Sequence, residues 1–245
     1  MSLSQSSVFD KFTFFGVLIP GVFASALLYP FLPTGIAPQL TGFVIYLTVV
    51  SFTLGMFFNG LGELIGGSAG LTDSVDVFTK IIRNEEILWA RNKSDIDRAI
   101  VDKSLSHLDT ALDLDHGQTY RMKQGDDFDK GAMNAAYQYM LNQVWAGGNS
   151  PAKIHHSVRM LCRSLVTACF FVGFSTLIII LLQQTGLLPY DPIYISESNW
   201  VNSCIIAIFY AIGLSLVVIV SVYIHKQYTY YLCIYMLSEF VRLNN

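Results

Sequence analysis

Apolar residues in this chain are gathered into long runs from which charge is excluded. No Asp, Glu, Lys or Arg occurs between Lys11 and Glu63, and Pro30, Pro33, Gly35 and Pro38 cluster near the middle of that stretch. A bilayer core of about 30 Å takes roughly 20 apolar residues in a helix, so Phe12–Leu32 and Leu40–Gly62 predict two spans joined by a short turn. Two further charge-free runs, Ser164–Tyr190 and Ser198–Ile224, flank Pro189-Tyr190-Asp191-Pro192, and the second ends at His225-Lys226. The pattern predicts an all-α membrane protein with four transmembrane helices, at about residues 12–32, 40–62, 164–184 and 200–224. Pro20-Gly21 inside the first span predicts a local kink or a loosened turn whose freed carbonyl must find another partner.

Between the second and third runs, residues 68–157 are polar with helical periodicity. Asp73-Ser74-Val75-Asp76 and Ser94-Asp95-Ile96-Asp97 read as helix N-caps, each with a carboxylate in the first turn where the helix dipole favours it. After Ser94, the residues Ile96, Ala99, Ile100, Leu108, Ala111 and Leu112 keep mostly to one face. A further helix is predicted over Phe128–Trp145. Gly147-Gly148-Asn149 breaks it, and Ser150-Pro151 starts another that nothing stops before Gln183. The stretch His225–Leu243 contains no Gly or Pro and extends the last span. Its tyrosines suit a membrane interface, whereas Tyr235, Phe240 and Leu243 need protein to pack on. The resulting plan is a transmembrane hairpin over 1–67, a helical cytosolic domain over 68–157, a second hairpin over 158–224 and a helical tail over 225–245. The tail suggests a symmetric homo-oligomer held partly through its apolar positions.

Composition narrows the class. Hydrophobic residues make up 53% and charged residues 13% of the chain, against about 25% charged in soluble domains, and the mean hydropathy is +0.47. A solvated globule is excluded. Lys+Arg total 15 against 18 Asp+Glu, leaving no basic excess for direct nucleic-acid binding. The basic residues other than Lys11, Lys226 and Arg242 all lie between Lys80 and Arg163. By the positive-inside rule, both termini and the middle segment are cytosolic in a multi-pass membrane protein. Met1–Asp10 lacks a basic n-region, so the first span reads as a retained anchor. The four cysteines sit in or beside apolar helices and read as free thiols.

Chemistry is sparse. His107, Asp109, Asp113, Asp115 and His116 contain the start of a calcium-loop pattern, but counting from Asp113 puts Gln118 and Gln124 where glycine and a bidentate glutamate belong. These acidic residues read as a solvated face, with Asp109, Asp113 and Asp115 a candidate partner surface. Asp126-Asp127-x-Asp129 reads as a helix start. Lys153, His155, His156, Arg159 and Arg163 form a basic collar suited to lipid headgroups at the inner leaflet. Glu63, beside Asn59, is a candidate gate, ion contact or partner for Arg163, or an interfacial carboxylate in water. Gly62-x-x-x-Gly66 forms a small-residue packing face within a series that includes Gly55, Gly60 and Gly67. No zinc spacing, nucleotide-binding glycine loop or serine-nucleophile motif is present, so the sequence implies no cofactor, no metal and no enzyme.

Phe9-Asp10-Lys11 leading to Pro20-Gly21, Leu54-Gly55 and Leu61-Gly62 in the second span, Arg159–Leu165 opening the third, and the aromatic tail to Phe240 form a recognisable layout. It resembles that of poorly characterised four-span bacterial membrane proteins of phage-defence loci, and the membrane subunit of the Kiwa system has a similar plan. The resemblance implies a protein that senses an event at the membrane or acts on it with a cytosolic partner. The leading expectation is an oligomeric sensor or scaffold in contact with membrane lipids and a cytosolic protein. The alternative is an oligomeric ion channel or pore-forming effector with Asn59, Glu63 and the glycines lining its path.

Overall fold

The computed structural model describes residues 11–33, 40–65, 71–85, 87, 98–112, 130–146, 150–189 and 200–245. Among them the secondary structure is helical, with no strand. In chain order the α-helices are α1 (Lys11–Leu28), α2 (Leu40–Ile65), α3 (Ser74–Arg83), α4 (Arg98–Leu112), α5 (Lys130–Ala146), α6 (Pro151–Gln184) and α7 (Trp200–Leu243), and a 3-10 turn, Tyr29–Phe31, follows α1. Pro20 lies inside α1 without ending it. Two helices are long and apolar enough to cross a membrane, Pro151–Gln184 and the Cys204–Leu243 part of α7, while Gly16–Phe31 and Leu47–Gly62 are shorter apolar stretches.

The chain divides into two compact units, one of Met1–Ala69 with Met160–Tyr223 and the other of Gly70–Arg159 with Ile224–Asn245. In the first, α1 and α2 meet backbone to backbone. A methyl group on Gly21 would stand 2.5 Å from the Ser51 carbonyl carbon, and one on Gly55 would stand 2.7 Å from that of Val17. Only glycine permits so close an approach. The Ser51 hydroxyl bonds that of Ser25 at 3.2 Å in the same seam. Ala24, Phe58, Ala168, Cys169, Val172 and Leu214 are buried together around this hairpin, with the Phe58 and Phe171 rings 5.4 Å apart. Tyr210 donates to the Leu27 carbonyl at 3.0 Å. That carbonyl belongs to the last turn of α1, where helical partners run out. The outer sides of α6 and α7 expose Phe170, Phe174, Leu177, Ile208, Phe209 and Leu216, among others. An apolar surface of that extent suits lipid and not water.

The second unit has its own core. Val77, Phe78, Ile81 and Ile82 of α3, Leu105 and Leu108 of α4, Met133, Ala136, Tyr137 and Met140 of α5, and Leu232, Met236, Leu237 and Phe240 of α7 are buried together. Local signals start the helices. The Asp73 side chain accepts from the Val75 N–H at 3.1 Å, and Asp76 occupies the first turn of α3. Asn84, at φ 59°, ends α3 in the left-handed region, which Asn tolerates better than most residues. Ser150 Oγ accepts from the Ala152 N–H at 3.1 Å to cap α6, and its hydroxyl donates to the buried carboxylate of Glu239. The expected cap at Ser94–Asp97 and the break at Gly147–Asn149 lie outside the described residues. The tail packs within its own chain. Leu232, Met236, Leu237 and Phe240 are buried in this core while Tyr235 and Leu243 stay exposed, so the buried positions are not offered to another copy.

Candidate functional site

The polar residues that the described structure brings together centre on two arginines of α6, one in each unit. In the first unit, Arg163 Nη2 donates to Asn59 Oδ1 at 3.1 Å. Its aliphatic stem lies against α2 at Gly62. A methyl group on Gly62 would be 2.8 Å from Arg163 Cγ and 3.2 Å from Thr167 Oγ1. Thr167 in turn donates to the Arg163 carbonyl at 3.1 Å. Asn59, Gly62 and Arg163 are thus one constellation, an arginine laid across a glycine and held by an amide. Asn59 and Gly62 face protein there. The Glu63 side chain and Gly66 lie outside the described residues.

In the second unit, Arg159 Nη1 donates to Ser74 Oγ at 2.9 Å, and the Tyr137 hydroxyl is hydrogen-bonded to both Ser74 and Arg159. The Cys233 thiol donates to the Ser74 carbonyl at 3.5 Å. This cluster ties the start of α3 to α5, α6 and α7. Burial pushes the Tyr137 hydroxyl above its ordinary pKa, and the nearby Cys233 adds to that, while Arg159 and the hydrogen bonds pull it back. Burial also pushes the Cys233 thiol up to about 12, against the lowering effect of Arg159. A thiol in that state is a packing group and not a nucleophile.

The histidines of the collar also turn to protein. His155 stacks on Tyr235 with ring centroids 4.8 Å apart, and Tyr228 and Tyr231 lie at 5.3 Å and 5.7 Å. Burial lowers the His155 pKa, which favours the neutral ring in this aromatic setting. His156 meets the edge of Trp145 at 5.1 Å. Lys153 is half-buried. His107 faces Phe240 edge-on at 6.4 Å. Asp109 is half-buried, and Asp113, Asp115 and His116 lie outside the described residues, as do Asp126–Asp129.

Sequence reasoning assigned Arg159, Arg163 and both histidines to lipid contact because they precede an apolar run. Arg163 bonds Asn59, Arg159 bonds Ser74 and His155 stacks on Tyr235, all far along the chain, while His156 meets the nearby Trp145; Ser74, Tyr137 and Cys233 carry no sequence sign of belonging with them. A usable signal was the cap sequence at Asp73-Ser74, which leaves a hydroxyl at a helix start. Among the described residues, no group of three or more His, Cys, Asp or Glu side chains is placed to hold a metal ion. No protein-family model, curated protein or solved structure matches this chain.

Proposed function

We propose that this chain is a four-span protein of the bacterial inner membrane, with both termini cytosolic, that acts as an oligomeric sensor or scaffold. It couples an event at the membrane to a cytosolic protein partner, and its layout suits anti-phage defence. The observation that carries this reading is the second unit, Gly70–Arg159 with Ile224–Asn245. A body with its own core, built from chain segments on either side of an apolar hairpin, offers a partner a folded surface attached to membrane helices. The link between Arg163 and Asn59 beside Gly62 favours a scaffold over a pore, because these groups are spent on helix packing and not on lining a path.

Three measurements test the reading. Reporter fusions at His116 and Asn245 should report the cytosol, and fusions at Gly35 and Glu197 the outside; a cytosolic report at Glu197 refutes the four-span topology. Purified protein in liposomes should carry no ion current, and it should co-purify with a cytosolic protein from its native host. A reproducible current altered by Glu63→Gln would replace the scaffold with a channel.

A further inference from the structure

Within the second unit, the start of α6 and the early turns of the tail meet in a seam built around one imidazole. The His155 ring stacks on Tyr235 with 14° between the ring planes and is flanked by Tyr228 and Tyr231. Its Nδ1 is shut off from solvent and has no hydrogen-bond partner among the described residues. The three phenols are the titratable groups that face it across the seam. The other ionisable groups of the two segments are turned elsewhere. Glu239 accepts from Ser150, Arg159 donates to Ser74 and is bonded to Tyr137, and His156 meets Trp145. Lys153 and Lys226, each two residues from a member of the cluster, lie on the far sides of their helices. Among the described residues no carboxylate is set against the imidazole, and burial is what acts on it.

A neutral ring suits this seam and a charged one does not. Taking up a proton would turn Nδ1 into a buried N–H donor with no acceptor. Tyrosine faces attract a cation, but they offer it less than the water it gives up. We propose that the seam makes the tail's hold on α6 acid-sensitive, so that a fall in cytosolic pH loosens residues 228–240 from the rest of the second unit. This deepens the sensor reading and rests on that unit being cytosolic: the event at the membrane is then the entry of protons. The sign follows from burial, which lowers the His155 pKa while the tail is docked. In an undocked tail the ring is exposed and returns to about 6.5. The undocked state therefore binds more protons. Docking is at full strength above pH 6.5 and weakens as pH falls below it, until the docked ring itself titrates. At pH 5.5 one such site shifts the equilibrium by about tenfold at most. The buried Leu232, Met236, Leu237 and Phe240 keep the tail mainly docked, so acid raises the open population without emptying the docked one.

The test compares the full chain in mild detergent with His155→Phe and His155→Gln, neither of which titrates at this position. Hydrogen exchange at the amides of residues 228–240, corrected for the intrinsic effect of pH, is followed between pH 7.5 and pH 5.5. It should rise about three- to tenfold more in the parent than in either variant. An equal rise in all three overturns the proposal. A second measurement needs no folded variant beyond assigning the signal: the His155 imidazole resonance of the parent should titrate below pH 6.5. A midpoint at or above 6.5 means that the tyrosine faces hold the cation, and it overturns the proposal too. The reporter fusions at His116 and Asn245 are read separately. An outside report refutes the cytosolic trigger while the acid response of the purified chain stands, whereas a cytosolic report without that response refutes the acid-sensitive seam alone.

Discussion

The sharpest consequence of the first unit is that its glycines are not equivalent. A methyl group on Gly21 would lie 2.5 Å from the carbonyl carbon of Ser51 and 3.0 Å from its Cα, with the carbonyl oxygen nearer still. Non-bonded carbons rest about 3.5–4.0 Å apart, so α1 and α2 must separate by at least ~1 Å to admit Gly21→Ala. A gap of that size forfeits a quarter to a half of the attraction across the seam. It also stretches the bond between Ser51 and Ser25, already 3.2 Å long. Overpacking of this kind typically costs ~1–3 kcal/mol. Alanine is intrinsically the better helix former by ~1 kcal/mol, which would mask part of the loss. Gly60→Ala supplies the control, because a methyl group there meets nothing within 4 Å. The propensity gain cancels between the two variants, and the remaining difference should lower the melting temperature of Gly21→Ala by about 2–12 °C relative to Gly60→Ala. Gly55→Ala should resemble Gly21→Ala, since it strikes Val17. Thermal unfolding in one detergent, followed by circular dichroism, makes the comparison. Equal melting temperatures for Gly21→Ala and Gly60→Ala would refute the close helix contact.

Phe240→Ala should destabilise the second unit by ~3–5 kcal/mol, because Phe240 is buried in its core; limited proteolysis that cuts the variant no faster than the parent would show that the tail does not belong there. Asn59→Ala and Arg163→Ala should be coupled by at least ~0.5 kcal/mol in a double-mutant cycle, because each removes the partner of the same 3.1 Å bond; strict additivity would mean that the bond contributes nothing. Cys233, with its thiol pushed up to about 12 by burial, should resist iodoacetamide at pH 8 until denaturant is added, since only the thiolate reacts; mass spectrometry showing modification in the folded protein would contradict its burial.

Features set by local chemistry were readable along the chain. The absence of charge from Ser164 to Tyr190 and from Ser198 to Ile224 pointed to the two long apolar helices, because an ionised group is costly in hydrocarbon wherever the rest of the protein lies. Asp73 and Ser150 marked the starts of α3 and α6, because a cap needs only a side-chain oxygen beside the first free N–H groups. The same sequence offered Arg159 and Arg163 together as members of a basic collar, with Glu63 as a candidate partner for Arg163. Folding separates their roles: Arg159 reaches Ser74, and Arg163 reaches Asn59 and crosses Gly62. Likewise, glycine spacing drew attention to Gly62 and Gly66, while the tightest described approach joins Gly21 to Ser51. A charge gap or a cap is written in consecutive residues. Partners on different helices, 30 to 104 positions apart in these pairs, depend on which helix faces meet, and helical periodicity leaves that rotation and pairing undetermined.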